Sequence, residues 1–474
     1  VAVGLLGLLI TGCGSRVDDA ELLAAAGGGP VTLSPATIAQ LRAPAQPPIG
    51  DARPAERQAG ASAAPARPSA AVPEVVPGAR ASTGAAAAAA PTRVSEHPRT
   101  PACTRPLPPV NVGQVGTFSG VAGAITAGAR AAAAVWAKDV NTRGGLDCRT
   151  VQLFSTDDGA DPARAAAAVQ DLVDRHHVVA LIANIVPFTA AGFVPAITAA
   201  KLPALGGDML APEWDTSAWM FPQGSAVDDQ LIGGIGAGVQ SGHRRLGLLY
   251  CVEVSSCGQV DTFLRNGGAR TAGADFVYDA PISITQPDYT AECLNAKQAG
   301  VDLLLLGMDG GSMARLTRSC VAVDFRPLLL TGAATFSLKN TEDSILRSFR
   351  MLTASPVAPW TADDTPGLQA FHRAMQRYRS DLPPDGETVI GWSSGILLEA
   401  ALNHLSTAER AETLTPRLVV QGLGRIHDET LGGLTSHLTF NPALGHATGT
   451  GCIYLMELTA AGWTAPDGSH PRCR

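Results

Sequence analysis

From residue 110 onward, short apolar runs alternate with amphipathic stretches. Residues 110–115 (VNVGQV) form an apolar run that breaks at 116–120 (GTFSG), and an Ala-rich helical stretch follows, ending at 141–145 (NTRGG). A second run, 151–158 (VQLFSTDD), leads through the helical pattern of 160–178 into a third run, 179–183 (VALIA). Apolar runs separated by helical periods with short joints predict a parallel sheet covered by helices. Such a sheet binds ligands beyond the carboxyl ends of its strands, where GTFSG, the TDDGAD segment and the residues after VALIA fall.

The pattern continues through 202–208 (LPALGGD) and then starts again after 221–230 (FPQGSAVDDQ). Helical periods are expected at 230–240, 259–272, 289–299 and 312–322. They alternate with strands at 245–250 (RLGLLY), 274–278, 301–307 (VDLLLLG) and 326–332 (RPLLLTG). This is a second doubly wound half. Helical patterns return in 367–380, 391–405 and 415–425, and 436–442 (SHLTFNP) with 451–458 (GCIYLMEL) reads as a closing hairpin-like pair. Repeated crossing between the halves implies several connecting segments, an arrangement suited to hinge motion. The expected fold class is therefore α/β, with two doubly wound parallel-sheet lobes joined by a multi-segment hinge.

The first hundred residues differ. Residues 43–92 are dominated by Ala and Pro without apolar periodicity, so they cannot bury enough surface to offset chain entropy. Residues 14–102 are read as a disordered tether. Ahead of it, residues 1–10 are almost wholly apolar and too short to span a membrane, but they match the apolar core of a secretory signal. Ile10-Thr11-Gly12-Cys13 resembles a bacterial lipobox, which makes Cys13 the expected lipidation site and 1–13 the signal segment. As a flexible coil the tether would average on the order of 50 Å end to end. Lobe one is expected to comprise 103–224 with 357–432, and lobe two with the hinge 225–356 with 433–474.

Cysteine usage fits export. Setting Cys13 aside, eight of the nine cysteines remain, without the paired CxxC spacing of a zinc site. Cys103 and Cys148 precede adjacent parallel strands, and Cys251 and Cys257 bracket a short loop. Cys293 and Cys320 fall on consecutive helices, and Cys452 and Cys473 would tie down the carboxyl-terminal tail. Four bridges in that pairing, formed in an oxidising compartment, are expected. The net charge of −7 has no basic stripe with interleaved aromatics, which argues against nucleic acid as a partner. The histidines show no ligand spacing, and neither a metal nor a cofactor is expected. His176-His177 ends a helix, where a capping role is the default.

Taken in order, VGTFSG, the stretch from 140 to 173 with its Asn before Gly-Gly and Asp-Asp ahead of Asp-Pro, YCVEVSSCG, the stretch from 274 to 307, GWSSGILLEAAL and GGLTSHLTFNPALG resemble one family. It is the type I periplasmic binding proteins, and within them the branched-chain amino acid receptors of ABC transporters. The resemblance spans residues 108 to 463. It implies a monomeric, non-enzymatic receptor that captures a small molecule between its lobes and delivers it to a membrane permease. Such a receptor would work outside the cytoplasmic membrane, held there by the lipid anchor alone.

The family places its ligand against the loops that follow GTFSG, VALIA and LPALG in lobe one, and GLLY, LLLLG and LLLTG in lobe two. On that basis the candidate ligand-binding residues are Ser119, Gly120, Phe188, Thr189, Asp208, Asp309, Thr335 and Trp392. Several have a plainer role available: Asp208 as a cap, Asp309 as the holder of a Gly-rich turn, Trp392 as packing. The chain also departs from the family. Where the amino-acid binders carry Gly-Pro-x-Ser-Ser for the ligand carboxylate, it has Ala183-Asn184-Ile185-Val186-Pro187, without hydroxyls and with a residue lacking N–H. Where they often place an acid for the ammonium, it has Gly332-Ala333-Ala334-Thr335. A charged ligand group left unpaired is costly, so the ligand is expected not to be a plain branched-chain amino acid.

Other readings compete. Gly391-Trp392-Ser393-Ser394-Gly395 fits the G-x-S-x-G nucleophile elbow, which would make Ser393 the nucleophile of an envelope hydrolase, but the elbow needs a strand just before it. Gly234-Ile235-Gly236-Ala237-Gly238 has dinucleotide-loop spacing, yet it lies in a helix that precedes a strand, the reverse of the required order. A sensory module of the same fold remains an alternative to a transport receptor.

Overall fold

The computed structural model describes residue 103 and residues 106–335, 342–447 and 449–474. The leader, Cys13 and the tether lie outside the described residues.

Two sheets organise the molecule. The first has strand order β2-β1-β3-β4-β5, all parallel, from β1 (Leu107–Gly116), β2 (Arg149–Asp157), β3 (Ala180–Asn184), β4 (Ala204–Gly207) and β5 (Met220–Phe221). Its helices are α1 (Gly120–Thr142), α2 (Pro162–Asp174) and α3 (Ala190–Ala200). The second sheet repeats that order as β7-β6-β8-β9-β10, again parallel, from β6 (Arg245–Cys251), β7 (Asp275–Ile282), β8 (Leu303–Gly307), β9 (Leu328–Gly332) and β10 (Met351–Ser355). Around it lie α4 (Val227–Gln240), α5 (Ser255–Phe263), α6 (Thr290–Gln298) and α7 (Gly310–Ala322). In both sheets the strand order reverses beside the first strand, so each lobe has a switch point with a crevice at its strand ends.

Local chemistry explains several of these elements. The side chain of Asp161 accepts the N–H groups of Ala163 and Arg164 and so caps α2, with Pro162 at a position where a missing N–H costs nothing. Strands β3, β8 and β9 are apolar runs buried on both faces, as parallel strands under two helical layers must be.

The chain returns to lobe one through α8 (Pro366–Tyr378), α9 (Gly386–Asn403) and α10 (Pro416–Leu423). Helix α9 is buried at 15 of its 18 residues, because it is wedged against α1, α10 and the strands β3 and β4. Close approach depends on small residues: a Cβ on Gly391 would sit 2.4 Å from the carbonyl oxygen of Ala129, and one on Gly395 2.3 Å from the Trp136 ring. Three crossings between the lobes run side by side. A Cβ on Gly224 would meet the Pro356 carbonyl at 2.1 Å, and the Thr450 N–H donates to the Gly224 carbonyl at 3.3 Å. This is the multi-segment hinge expected from the sequence.

All four disulfides join the expected pairs: Cys103–Cys148, Cys251–Cys257, Cys293–Cys320 and Cys452–Cys473. Cys452 and Cys473 are direct partners across β11 (Cys452–Thr459) and β13 (Arg472–Cys473).

The closing hairpin is a correction. Residues 436–442 form no strand and make only an isolated bridge, Leu438 to Glu429. Leu438 and Phe440 are instead buried in the lobe-one core, and Pro442 begins a short 3-10 turn. β11 pairs antiparallel with β10 and with β12 (Gly462–Thr464). β10 (MLTAS) gives a weaker sequence signal than β3 or β8, because Thr353 and Ser355 interrupt its apolar run although all five residues are buried.

Candidate functional site

Where the strand ends of the two lobes face each other lies a cavity of about 180 Å³. Lobe one lines it with Ile185, Pro187 and Phe188 after β3 and with Asp208 and Leu210 after β4. Lobe two contributes the Cys251–Cys257 disulfide after β6, Met308 and Asp309 after β8, and Thr335 after β9. These are the crevices that the strand order predicts. Phe188, although on lobe one, packs against the lobe-two core. The walls are largely apolar, with Leu231, Leu305, Leu306 and Leu330 among them. An apolar cavity of ~150 Å³ accommodates benzene, so this one has room for a small molecule of comparable or slightly larger size.

Four of the sequence candidates line this cavity: Phe188, Asp208, Asp309 and Thr335. Asp208 is 1% exposed and holds the loop around it. Its carboxylate accepts the N–H of Val186 at 2.7 Å, that of Leu210 at 2.7 Å and the indole N–H of Trp214 at 3.4 Å. Burial nevertheless pushes its pKa above the usual carboxylate range. Asp309 is the N-cap of α7, accepting the N–H groups of Gly311 at 2.8 Å and Ser312 at 3.1 Å as well as the Ser312 hydroxyl. The Thr335 hydroxyl donates to the Gly332 carbonyl at 2.8 Å and bonds the Thr331 hydroxyl at 2.9 Å.

The other four lie outside the lining. Ser119 and Gly120 open α1 and are exposed, beside Asp157, whose carboxylate accepts the Phe118 N–H at 2.9 Å. Thr189 is fully buried, and its hydroxyl donates to Asp158 at 2.7 Å. The same carboxylate takes the Thr117 hydroxyl at 2.6 Å, so the loops of lobe one are tied to one another. Trp392 is 1% exposed in the lobe-one core, tilted against Phe371 with ring centroids 6.1 Å apart.

The residue that sequence reasoning missed is Glu387. It lies in the first turn of α9, is fully buried, and lines the cavity. Neither of its carboxylate oxygens has a hydrogen-bond partner among the described residues. Burial pushes its pKa well above the usual value, and the nearby carboxylates of Asp385 and Asp208 add to the effect. Asp385 caps α9 through the Thr388 N–H at 3.0 Å, and burial pushes its own pKa up to about 6. A Cβ on Gly386 would lie 2.5 Å from the Ala333 carbonyl oxygen, so the start of α9 is pressed against the turn that follows β9. One signal was available in the sequence: an acid at the head of a helix whose next eleven positions, 388–398, carry no charge.

The competing motifs resolve differently. Ser393 lies in the middle of α9, fully buried, and its hydroxyl donates to the Ile390 carbonyl at 3.1 Å; no strand precedes it. The glycines of 234–238 lie within α4, and a Cβ on Gly238 would meet the Leu303 side chain at 2.6 Å. Among the described residues no cluster of His, Cys, Asp or Glu is arranged to hold a metal. Among them, too, no helix is long and apolar enough to cross a membrane.

The sequence matches a family model described as "Periplasmic binding protein" over residues 109–463. Among solved structures, the chain is similar to a branched chain amino acid ABC transporter protein from Thermus thermophilus with bound valine. Identity is 16%, coverage 78% of this chain and 97% of that one, and the TM-score 0.67. It is also similar to a fatty acid ABC transporter substrate-binding protein from Thermomonospora curvata, with 18% identity, 76% and 92% coverage and a TM-score of 0.64. A third is an ABC transporter solute binding protein from R. palustris in complex with benzoate, with 15% identity, 77% and 98% coverage and a TM-score of 0.60. No curated protein sequence matches the chain. At these identities the likeness carries the fold and leaves the ligand open.

Proposed function

The chain belongs to the periplasmic binding protein family, and on that premise we propose that it is an extracytoplasmic receptor for a small, largely apolar molecule. It captures that molecule between its lobes and hands it to the permease of an ABC importer. The observation that carries this reading is the cavity itself, walled by strand-end loops of both lobes, so that a ligand would draw them together. Four disulfides suit an oxidising compartment outside the cytoplasm. Lipidation of Cys13 would hold the receptor at the membrane, and the Ala/Pro-rich segment would give it reach. The chemistry is binding without turnover, and the receptor acts as a monomer.

A plain branched-chain amino acid fits poorly. The Val186 N–H is already taken by Asp208, Pro187 has none, and Thr189 is bound to Asp158. The neighbours named for valine, a fatty acid and benzoate show how far ligand chemistry varies on this fold. A thermal-shift screen over amino acids, amines, small acids and aromatic compounds tests the reading. A ligand at 100 times its Kd adds about 2.7 kcal/mol of stability. A response to leucine or valine alone would overturn the ligand assignment, and silence across the whole panel would overturn the receptor assignment.

A further inference from the structure

The receptor reading leaves the ligand's chemical class open, and the cavity wall constrains it. Among the described residues of the lining the charged ones are Asp208, Asp309 and Glu387, with no Lys, Arg or His. The first two are occupied by N–H and hydroxyl donors of their own loops. Glu387 alone is fully buried with both oxygens unpartnered. A buried polar group without a partner is costly, and native structures retain one where something else satisfies it. Resting on the receptor reading above, we propose that the ligand is an apolar organic monocation, an alkyl- or aralkylamine without a carboxylate, whose ammonium seats on Glu387.

The two ends of such a ligand have matching surfaces. Its apolar body lies along Leu305, Leu306, Met308 and Leu330, and its ammonium faces the only unsatisfied acid of the described lining. A carboxylate would instead enter a site whose described residues hold three acids and no base, where ionised like charges repel in a low dielectric. An amino acid meets that penalty at one end even when its ammonium is paired. The position of Glu387 at the start of an 18-residue helix favours the ionised carboxylate once a cation neutralises it. The raised pKa of Glu387 agrees with this geometry: burial disfavours its unpaired carboxylate, and a cation beside it would favour the ionised form.

The test is calorimetric titration of the full chain at neutral pH with three isosteric sets: isopentylamine, isocaproate and isopentanol; phenethylamine, hydrocinnamate and phenethyl alcohol; and leucine with phenylalanine as zwitterions. The amines are expected to bind, with the acids and amino acids silent. Glu387→Gln should weaken the amines roughly ten- to hundredfold, the loss of one charge-assisted contact, and affect the alcohols much less. Glu387→Asp, which keeps the charge, should retain more amine affinity than Glu387→Gln. An acid or alcohol that binds as tightly as its amine, or unchanged amine affinity in Glu387→Gln with its melting transition intact, overturns this proposal and leaves the receptor reading standing. Silence from every compound in this and the wider screen removes the receptor reading and this proposal with it.

Discussion

Replacing Glu387 by Gln should stabilise the ligand-free protein, and the gain should grow with pH. The carboxyl is fully buried and unpartnered, and burial together with the charges of Asp385 and Asp208 raises its folded-state pKa well above the usual value. In the unfolded chain its pKa returns to about 4.3. Between those two values the folded protein holds a proton that the unfolded chain has released. Stability is therefore fully present below the unfolded pKa and lost as pH rises through the folded one, at about 1.4 kcal/mol per pH unit. The isosteric amide has no charge to suppress and escapes that loss. Asp385 and Asp208 also have raised values and add a loss of the same sign in both proteins. Subtracting the variant from the wild type isolates Glu387 and its coupling to them. Melting temperatures of both proteins across pH 4.5 to 7.5 provide the measurement. For a lobe of about 150–250 residues each kcal/mol corresponds to roughly 2–4 °C, so the two curves should meet near the acid end and separate by several degrees at neutrality. A gap that stays constant with pH would mean that folding does not raise the Glu387 pKa, a variant less stable throughout would mean that the carboxylate is ionised and paired, and either would refute the reasoning.

Other substitutions probe the frame that holds the site. Gly391→Ala would drive a methyl group against the Ala129 carbonyl, with backbone on both sides and no side chain to yield; a loss of about 1–3 kcal/mol or more is expected in urea unfolding. Removing the Cys293–Cys320 bridge, with its sequence separation of 27, should cost about 3–4 kcal/mol by loop entropy, read as a lower denaturation midpoint of the double Ser variant. Trp392→Phe should lower the melting temperature and leave ligand affinity unchanged, because the ring packs in the lobe-one core away from the cavity; a large affinity loss in a folded variant would restore it as a site residue.

The fold was legible because its signals repeat. Apolar runs such as 179–183 and 301–307 mark strands buried on both faces, and Gly- or Asp-rich breaks after them mark the strand ends where the cavity forms. Cysteine pairing followed from which elements are adjacent, and adjacency in a parallel sheet follows from chain order. β10 and the partner of β11 were harder, since their pairing is decided by which lobe the chain has returned to after the hinge. The site was only half legible. Position after a strand picked out Phe188, Asp208, Asp309 and Thr335, which line the cavity, but position cannot tell whether a side chain faces the cavity or its own loop. Asp309 spends its oxygens on the N-cap of α7, and Thr189 spends its hydroxyl on Asp158. Glu387 reaches the cavity from a helix more than fifty residues beyond the last lobe-two loop, through a contact that Gly386 permits and that no local pattern encodes.

Hydrogen–deuterium exchange of the full chain with and without the ligand that gives the largest thermal shift tests the central claim most directly. Binding in the interlobe cavity predicts simultaneous protection of 185–189 and 208–210 in lobe one, 307–311 and 332–335 in lobe two, and 386–389 at the start of α9. Protection confined to one lobe, or falling on surfaces away from these five segments, would contradict it.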